Sequence, residues 1–281
     1  MASGTVVVTG ASTGIGEATA LHLRERGFDV RACVRSDGDA ERLRSAGVSP
    51  MRLEVTDAGS IAAATEELGD APLAGLVNNA GIAVSAPIEF VPIAELRRQL
   101  DVNLVGQVAV IQALLPALRR GRGRIVNVSS IGGRVALPLA GPYAASKFAL
   151  EGLSDSLRRE VSQFGIEVSL VEPGGVKTPI WKKGRETAEQ IAAQLPPEAA
   201  ELYGGMVEVL RRETAKIAEE RGMEPGRVAR TIGHALTARR PKTRYLVGRD
   251  AKIRWALAKR VPDRMFDRLV ARTFAGSSAG R

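Results

Sequence analysis

Tyr143 and Lys147 stand four residues apart in PYAASKFALEG, residues 142–152, at the start of an apolar-striped stretch. On a helix, positions i and i+4 share one face. A free phenol titrates near pH 10, too high for an effective base at neutral pH. A cation within about 4–6 Å favours the phenolate and lowers that value by about 1–3 units. The pair therefore has a chemical use, with Tyr143 giving or taking a proton and Lys147 tuning it. The competing reading is a core tyrosine beside a solvated lysine.

Two further groups tip the balance. GRIVNVSS, residues 123–130, is strand-like and ends in hydroxyls, with Ser130 thirteen residues before Tyr143. Ser130 is suited to hold a substrate oxygen by hydrogen bonding, and Ser129 is its rival. Near the start, TGASTGIG runs from Thr9 to Gly16. Gly10, Gly14 and Gly16 let a backbone turn sharply and approach a ligand. Amides at the start of a following helix attract phosphate oxygens. Ser12, Thr13 and Ile15 lie within that loop.

The elements that must position these groups alternate. Strand patterns at 5–10, 28–34, 51–55, 73–79, 123–130, 166–173 and 243–248 are separated by helical stretches at 14–27, 60–68, through Asn103 to about Leu118, and 143–164. Apolar strands alternating with helices imply right-handed crossovers and a parallel sheet covered on both faces. The expectation is a single-domain α/β, Rossmann-like, doubly wound fold. Ligands in such sheets lie beyond the C-terminal strand ends, where Ser130, Tyr143 and the glycine loop should meet.

In order along residues 5–180, the chain resembles the short-chain dehydrogenase/reductase family. The carriers are TGxxxGxG at the first turn, NNAG at 78–81, DVNL at 101–104, NVSS at 127–130, the Tyr143/Lys147 pair and PGGVKT at 173–178. The resemblance implies a nicotinamide dinucleotide cofactor and hydride transfer to or from an alcohol or ketone. It makes Ser130, Tyr143 and Lys147 catalytic, with Lys147 also on the nicotinamide ribose. Asn103 is expected to hold a water linking Lys147 to solvent. Asn79, Ala80, Gly81, Pro173, Gly174, Val176 and Thr178 are expected at the dinucleotide, and Glu54 or Val55 at its adenine. A catalytically silent dinucleotide-binding scaffold is the rival; it would be expected to lose Ser130, Tyr143 or Lys147, and all three are present.

Cofactor choice turns on the end of the second strand, where a carboxylate accepts from a ribose 2′-OH and an arginine accommodates a 2′-phosphate. The strand ends ACVRSDGD, with Arg35 and no carboxylate at Cys33 or Val34. NADP(H) is favoured. NAD(H) is the alternative, with Asp37 or Asp39 reaching the ribose instead.

PYAASKFALEGLSDSLRREV and VEPGGVKTPIW are similar to the branch of hydroxysteroid and retinol dehydrogenases, which implies a bulky apolar alcohol or ketone. Residues 181–222 fall where a substrate lid is expected, interrupted by Pro196 and Pro197. The dinucleotide-binding and catalytic unit is expected over 1–250, and a basic amphipathic C-terminal extension over 251–281. Residues 250–274 carry seven Lys/Arg against three Asp, interspersed with apolar residues and split by Pro262. Packing over a pocket or a neighbouring subunit is favoured there, with peripheral contact to an anionic membrane as the alternative. Leu150, Leu153, Leu157, Val161 and Phe164 form a stripe that reads as sheet-facing core and, by the resemblance, as a homodimer or homotetramer contact.

Composition sets the bounds. The 281 residues are 44% apolar and 25% charged, as in an ordinary globular chain. The net charge of +9 favours anionic partners, but 4% aromatics leave few platforms for stacking bases, so no nucleic acid is expected. The single cysteine, Cys33, excludes an internal disulfide and fits a reducing compartment, hence an expected cytoplasmic location. No secretory signal, no run of about 18 apolar residues and no metal-ligand cluster is read.

Overall fold

The computed structural model describes residues 3–275. Seven parallel strands form one sheet in the order β3-β2-β1-β4-β5-β6-β7. They are β1 (Thr5–Val8), β2 (Asp29–Val34), β3 (Ser49–Arg52), β4 (Leu73–Asn78), β5 (Arg124–Val128), β6 (Glu167–Pro173) and β7 (Arg244–Val247). The order reverses between β1 and β4, so the chain winds outward in both directions and leaves a crevice at that switch.

The strands are continuous apolar runs because both faces are covered. Successive side chains point to opposite faces. Val6 and Val8 enter one core cluster and Val7 enters the other. In β5, Val126 and Val128 face the first layer and Ile125 the second. The first layer holds α1 (Gly14–Glu25) and α9 (Pro225–Thr237), which pack closely on each other, with Leu43 of α2 (Asp37–Ser45). The second holds α3 (Ala58–Leu68), α5 (Gly106–Gly121) and α6 (Gly141–Val161).

Several boundaries differ from expectation. β3 begins at Ser49, because Pro50 sits on the outermost strand, where a missing N–H is tolerated. The helix through Asn103 is α4 (Ile93–Leu100), a π-helical turn at Asp101–Val105, and then α5. The run Ile93–Gly121 is long and apolar enough to cross a membrane by length and composition, contrary to the sequence expectation. Here it flanks the sheet, with Val110, Ile111, Leu114 and Leu118 in the core. The α6 stripe divides: Leu150 and Val161 are buried, Leu153 and Leu157 half-buried, and Phe164 is exposed beneath the Arg119 guanidinium.

Four helices close the C-terminal edge. α7 (Ile180–Ala192) and α8 (Pro197–Lys216) flank the Pro196–Pro197 break. α10 (Arg249–Arg260) and α11 (Asp263–Ala275) flank Pro262. Trp255, Ala258 and Phe266 pack on Ile131 and Val135, just past β5. Residues 276–281 of the expected C-terminal extension lie outside the described residues.

Candidate active site

The glycine turn is built for a phosphate. Gly10 and Gly14 both adopt φ +62, a left-handed conformation that favours glycine. A Cβ on Gly10 would lie 2.7 Å from the Ala80 Cα. Thr13 begins α1 without a side-chain cap, which leaves first-turn amides to a ligand. Gly14 and Gly16 stand behind the cleft wall. A Cβ on Gly16 would meet the Gly10 carbonyl at 2.2 Å, so this glycine allows α1 to seat against the turn. These features fit a dinucleotide diphosphate.

The turn is anchored from β4. Thr9 Oγ1 accepts from the amides of Asn79 (2.9 Å) and Ala80 (3.1 Å). Asn79 Nδ2 donates to the Thr9 and Gly10 carbonyls. Asn79 therefore holds the turn in shape. Thr9 was missed in the sequence, although a hydroxyl closing a strand ahead of a glycine is a usable signal.

A single cleft of about 1010 Å³ joins this turn to the Tyr143 region. Ser12, Thr13 and Ile15 line it at one end, with Arg35, Glu54 and Val55 beside them. Ala80, Gly81, Asn103, Pro173, Gly174, Val176 and Thr178 follow along its wall. Ser130, Tyr143 and Lys147 lie where the cleft broadens into an apolar chamber bounded by α7, α8, α10 and α11.

Tyr143 begins α6 next to Pro142, which is tolerated in a first turn because no N–H is needed there. Its hydroxyl hydrogen-bonds with Ser130. Ser130 Oγ also accepts from the Gly132 amide at 3.0 Å, which orients it. Ser129 is turned inward, with its hydroxyl buried and unpartnered. Lys147 is buried and donates to the Val128 carbonyl at 2.8 Å, with Nζ 5.9 Å from the centre of the Tyr143 ring.

The electrostatics correct one expectation. Burial pushes the Tyr143 phenol above its ordinary value, and the Ser130 hydrogen bond acts in the opposite sense. Lys147 is not the dominant influence on the phenol. Burial lowers Lys147 itself to about 8, partly offset by the Glu151 carboxylate one turn on.

Asn103 is held on both sides of its amide. Its Oδ1 accepts from the Ile82 amide at 2.8 Å, and its Nδ2 donates to the Ile82 carbonyl and to Ser146 Oγ. The side chain clamps the loop after NNAG onto α6. Gln99 makes a parallel clamp on Val84 and Ile82.

At the far end, Arg35 pairs with Glu54 at 3.1 Å, and Glu54 also accepts from Thr56. Asp39 is engaged by Ser36 and Arg42, and the Ser36 hydrogen bond holds its carboxyl below the usual range. Asp37 pairs with Arg52. Arg42 also reaches the Ser12 carbonyl and Glu17, a contact invisible in sequence because α2 was not read. Asp250 is likewise new: it accepts from the Gly175 amide at 2.8 Å and fastens α10 to the loop after β6.

A doubly wound parallel sheet with a phosphate turn at its switch point and a Ser/Tyr/Lys group just past the neighbouring strand β5 defines a dinucleotide-binding oxidoreductase fold. Residues 4–189 match the short-chain dehydrogenase model, and the chain belongs to that family. It is 39% identical to human retinol dehydrogenase 5, over 93% of this chain and 86% of the relative. A short-chain dehydrogenase from Burkholderia cenocepacia, solved with NADP, superposes with a TM-score of 0.71 at 26% identity, covering 96% of this chain and 97% of its own. One from Burkholderia phymatum, solved with NAD, shares the fold with a TM-score of 0.76 at 22% identity, covering 92% and 94%.

Proposed function

We propose that this protein is an NADP(H)-dependent oxidoreductase that interconverts a bulky apolar alcohol and its ketone. The observation that carries the reading is the Tyr143 hydroxyl, hydrogen-bonded with Ser130, with the buried Lys147 ammonium 5.9 Å from its ring centre, on the wall of a cleft continuous with the phosphate turn. Bound nicotinamide would supply or accept the hydride. Ser130 would hold the substrate oxygen, and Tyr143 would give it a proton in reduction or take one in oxidation. Lys147 would stabilise the phenolate and hold the nicotinamide ribose. Asn103 and Gln99 act as positioning residues for the loop that forms one wall.

Arg35, paired with Glu54 at 3.1 Å, supports NADP(H): a 2′-phosphate would exchange that exposed ion pair for a stronger charge-assisted contact. NAD(H) is the competing outcome. The apolar chamber and the relation to retinol dehydrogenase 5 support a retinoid-, steroid- or lipid-like substrate. α7 and α8 serve as its lid. Exposed Val105 and Phe148 support packing of the α5–α6 side on a second copy, giving a homodimer or homotetramer. The proposed location is cytoplasmic, peripheral to a membrane through α10 and α11.

The test is titration with NADPH and NADH followed by nicotinamide fluorescence, then turnover of a panel of apolar ketones and alcohols. NADPH bound more tightly and ketone-dependent oxidation of NADPH are expected. NADH bound more tightly would overturn the cofactor choice. Full turnover by Tyr143→Phe would overturn the mechanism.

A further inference from the structure

The cleft that carries the proposed chemistry is apolar, yet seven cationic side chains line it. Most are accounted for. Arg35 meets Glu54, Arg211 meets Glu208, and Arg221 meets Glu213. Lys147 donates to the Val128 carbonyl, and Lys183 is exposed to water. Arg185 and Arg254 remain. Both are half-buried on the cleft wall, and among the described residues neither guanidinium meets a carboxylate or a carbonyl.

Their places in the fold separate them. Arg185 stands on α7, which starts just after Thr178; Thr178 touches the position a Gly14 Cβ would take. Two residues before Arg185, Lys183 adds to the field on Asp39. Arg185 thus belongs to the dinucleotide side. Arg254 stands on α10, one turn beyond Asp250, whose carboxylate sits on the Gly174–Gly175 backbone. Leu257, roughly another turn along, lines the same wall, followed by Phe266 and Leu269 of α11. Trp255 and Ala258 of the same helix pack on the loop past β5. On this stretch of wall α10 contributes one cation, Arg254, beside the apolar Leu257.

Arg254 is half-buried on the cleft wall and has no carboxylate partner among the described residues, so a substrate carboxylate reaching it would gain a charge-assisted contact with two parallel hydrogen bonds. Of the carboxylates lining the cleft, Asp250 is committed to the Gly175 amide and Glu213 to Lys216 and Arg221. We infer that the substrate is amphiphilic, an apolar ketone or alcohol bearing an anionic group, such as a carboxylate, that docks on Arg254. This rests on the oxidoreductase reading above and narrows its substrate class.

The probes are a steroid ketone with a side-chain carboxylate and the methyl ester of the same steroid, each assayed with NADPH. The expected result is a kcat/KM at least about tenfold higher for the acid, as a charge-assisted pair provides. Arg254→Leu should remove that preference, leaving the ester and the NADPH affinity within about threefold of the parent. Arg254→Lys should recover part of it. Equal turnover of acid and ester by the parent protein, or equal slowing of both by Arg254→Leu, would overturn this inference alone. If neither steroid turns over, binding of the acid to the NADPH complex decides. Binding abolished by Arg254→Leu supports the anion site, and its absence overturns it. Failure to bind NADPH at all overturns the oxidoreductase reading beneath.

Discussion

Tyr143 feels two opposed influences: burial raises its pKa, and the Ser130 hydroxyl lowers it. The phenol therefore stays protonated at neutral pH until a ligand changes its surroundings, which suits a proton donor in reduction. Tyr143→Phe removes the proton and little volume. Turnover should fall by about 10²–10⁴-fold, with NADPH binding retained, read by stopped-flow absorbance and fluorescence titration. Lys147 yields a pH prediction. Its value of about 8 in the free protein means the ammonium is present below pH 8 and lost above it. Anionic phosphates binding nearby favour the charged form and raise that value. The complex then binds more protons than the free protein, so dinucleotide affinity should weaken as pH rises through 8. NADPH titrations from pH 6.5 to 9.5 check this, and an affinity that strengthens over that range contradicts it.

At the scale of elements, the site depends on joints between helices and strand ends. Gly16 is one. A methyl there would have to displace the Gly10 carbonyl from 2.2 Å, and backbone yields poorly. Gly16→Ala should lower the melting temperature by several degrees, for a loss of about 1–3 kcal/mol, and weaken NADPH binding. Glu151 is another. It lies one turn beyond Lys147 on α6, meets Arg244 of β7 at 3.0 Å, and raises Lys147. Arg244 also reaches Glu172, which meets Arg134, and Arg134 stacks on Trp255 of α10 at 4.6 Å. Glu151→Gln keeps the shape and removes the charge. The fall in dinucleotide affinity should then move to lower pH. A lower melting temperature with an unmoved pH profile would make Glu151 a purely structural residue. Such joints explain what sequence could and could not reveal. Gly10, Ser130, Tyr143 and Lys147 were legible because their spacing is local. Arg42 was not, because α2 buries one leucine, Leu43, and shows no apolar periodicity. α9 left a usable signal, Val228, Ile232 and Leu236 after Pro225, that went unread. Asp250 acts across 75 residues of chain on the loop after β6, and only the folded sheet brings it there.

For the whole molecule, the parallel sheet was legible because alternating strands and helices admit few topologies. The surface charge was legible in amount but not in placement. Folding pairs many arginines with carboxylates, yet among the described residues Lys252, Lys259, Arg260, Arg264, Arg268 and Arg272 of α10 and α11 meet none. The same two helices expose Ile253, Leu257, Met265 and Leu269, and α8 beside α11 exposes Leu202 and Met206. Leu257 and Leu269 also line the cleft, so the apolar rim and the mouth of the chamber coincide. Exposed apolar side chains ringed by unpaired cations match an anionic bilayer surface, where burial and charge attraction add. The protein should co-sediment with vesicles containing phosphatidylserine and remain in solution with neutral phosphatidylcholine vesicles. Because the Debye length shrinks from about 8 Å at 0.15 M to about 3 Å at 1 M, the bound fraction should fall steeply with added salt. Ile253→Ser with Leu269→Ser should weaken binding without altering the salt dependence, since these residues supply area and not charge. Binding that ignores both lipid charge and salt would detach the basic rim from membranes and leave α10 and α11 as walls of the chamber alone.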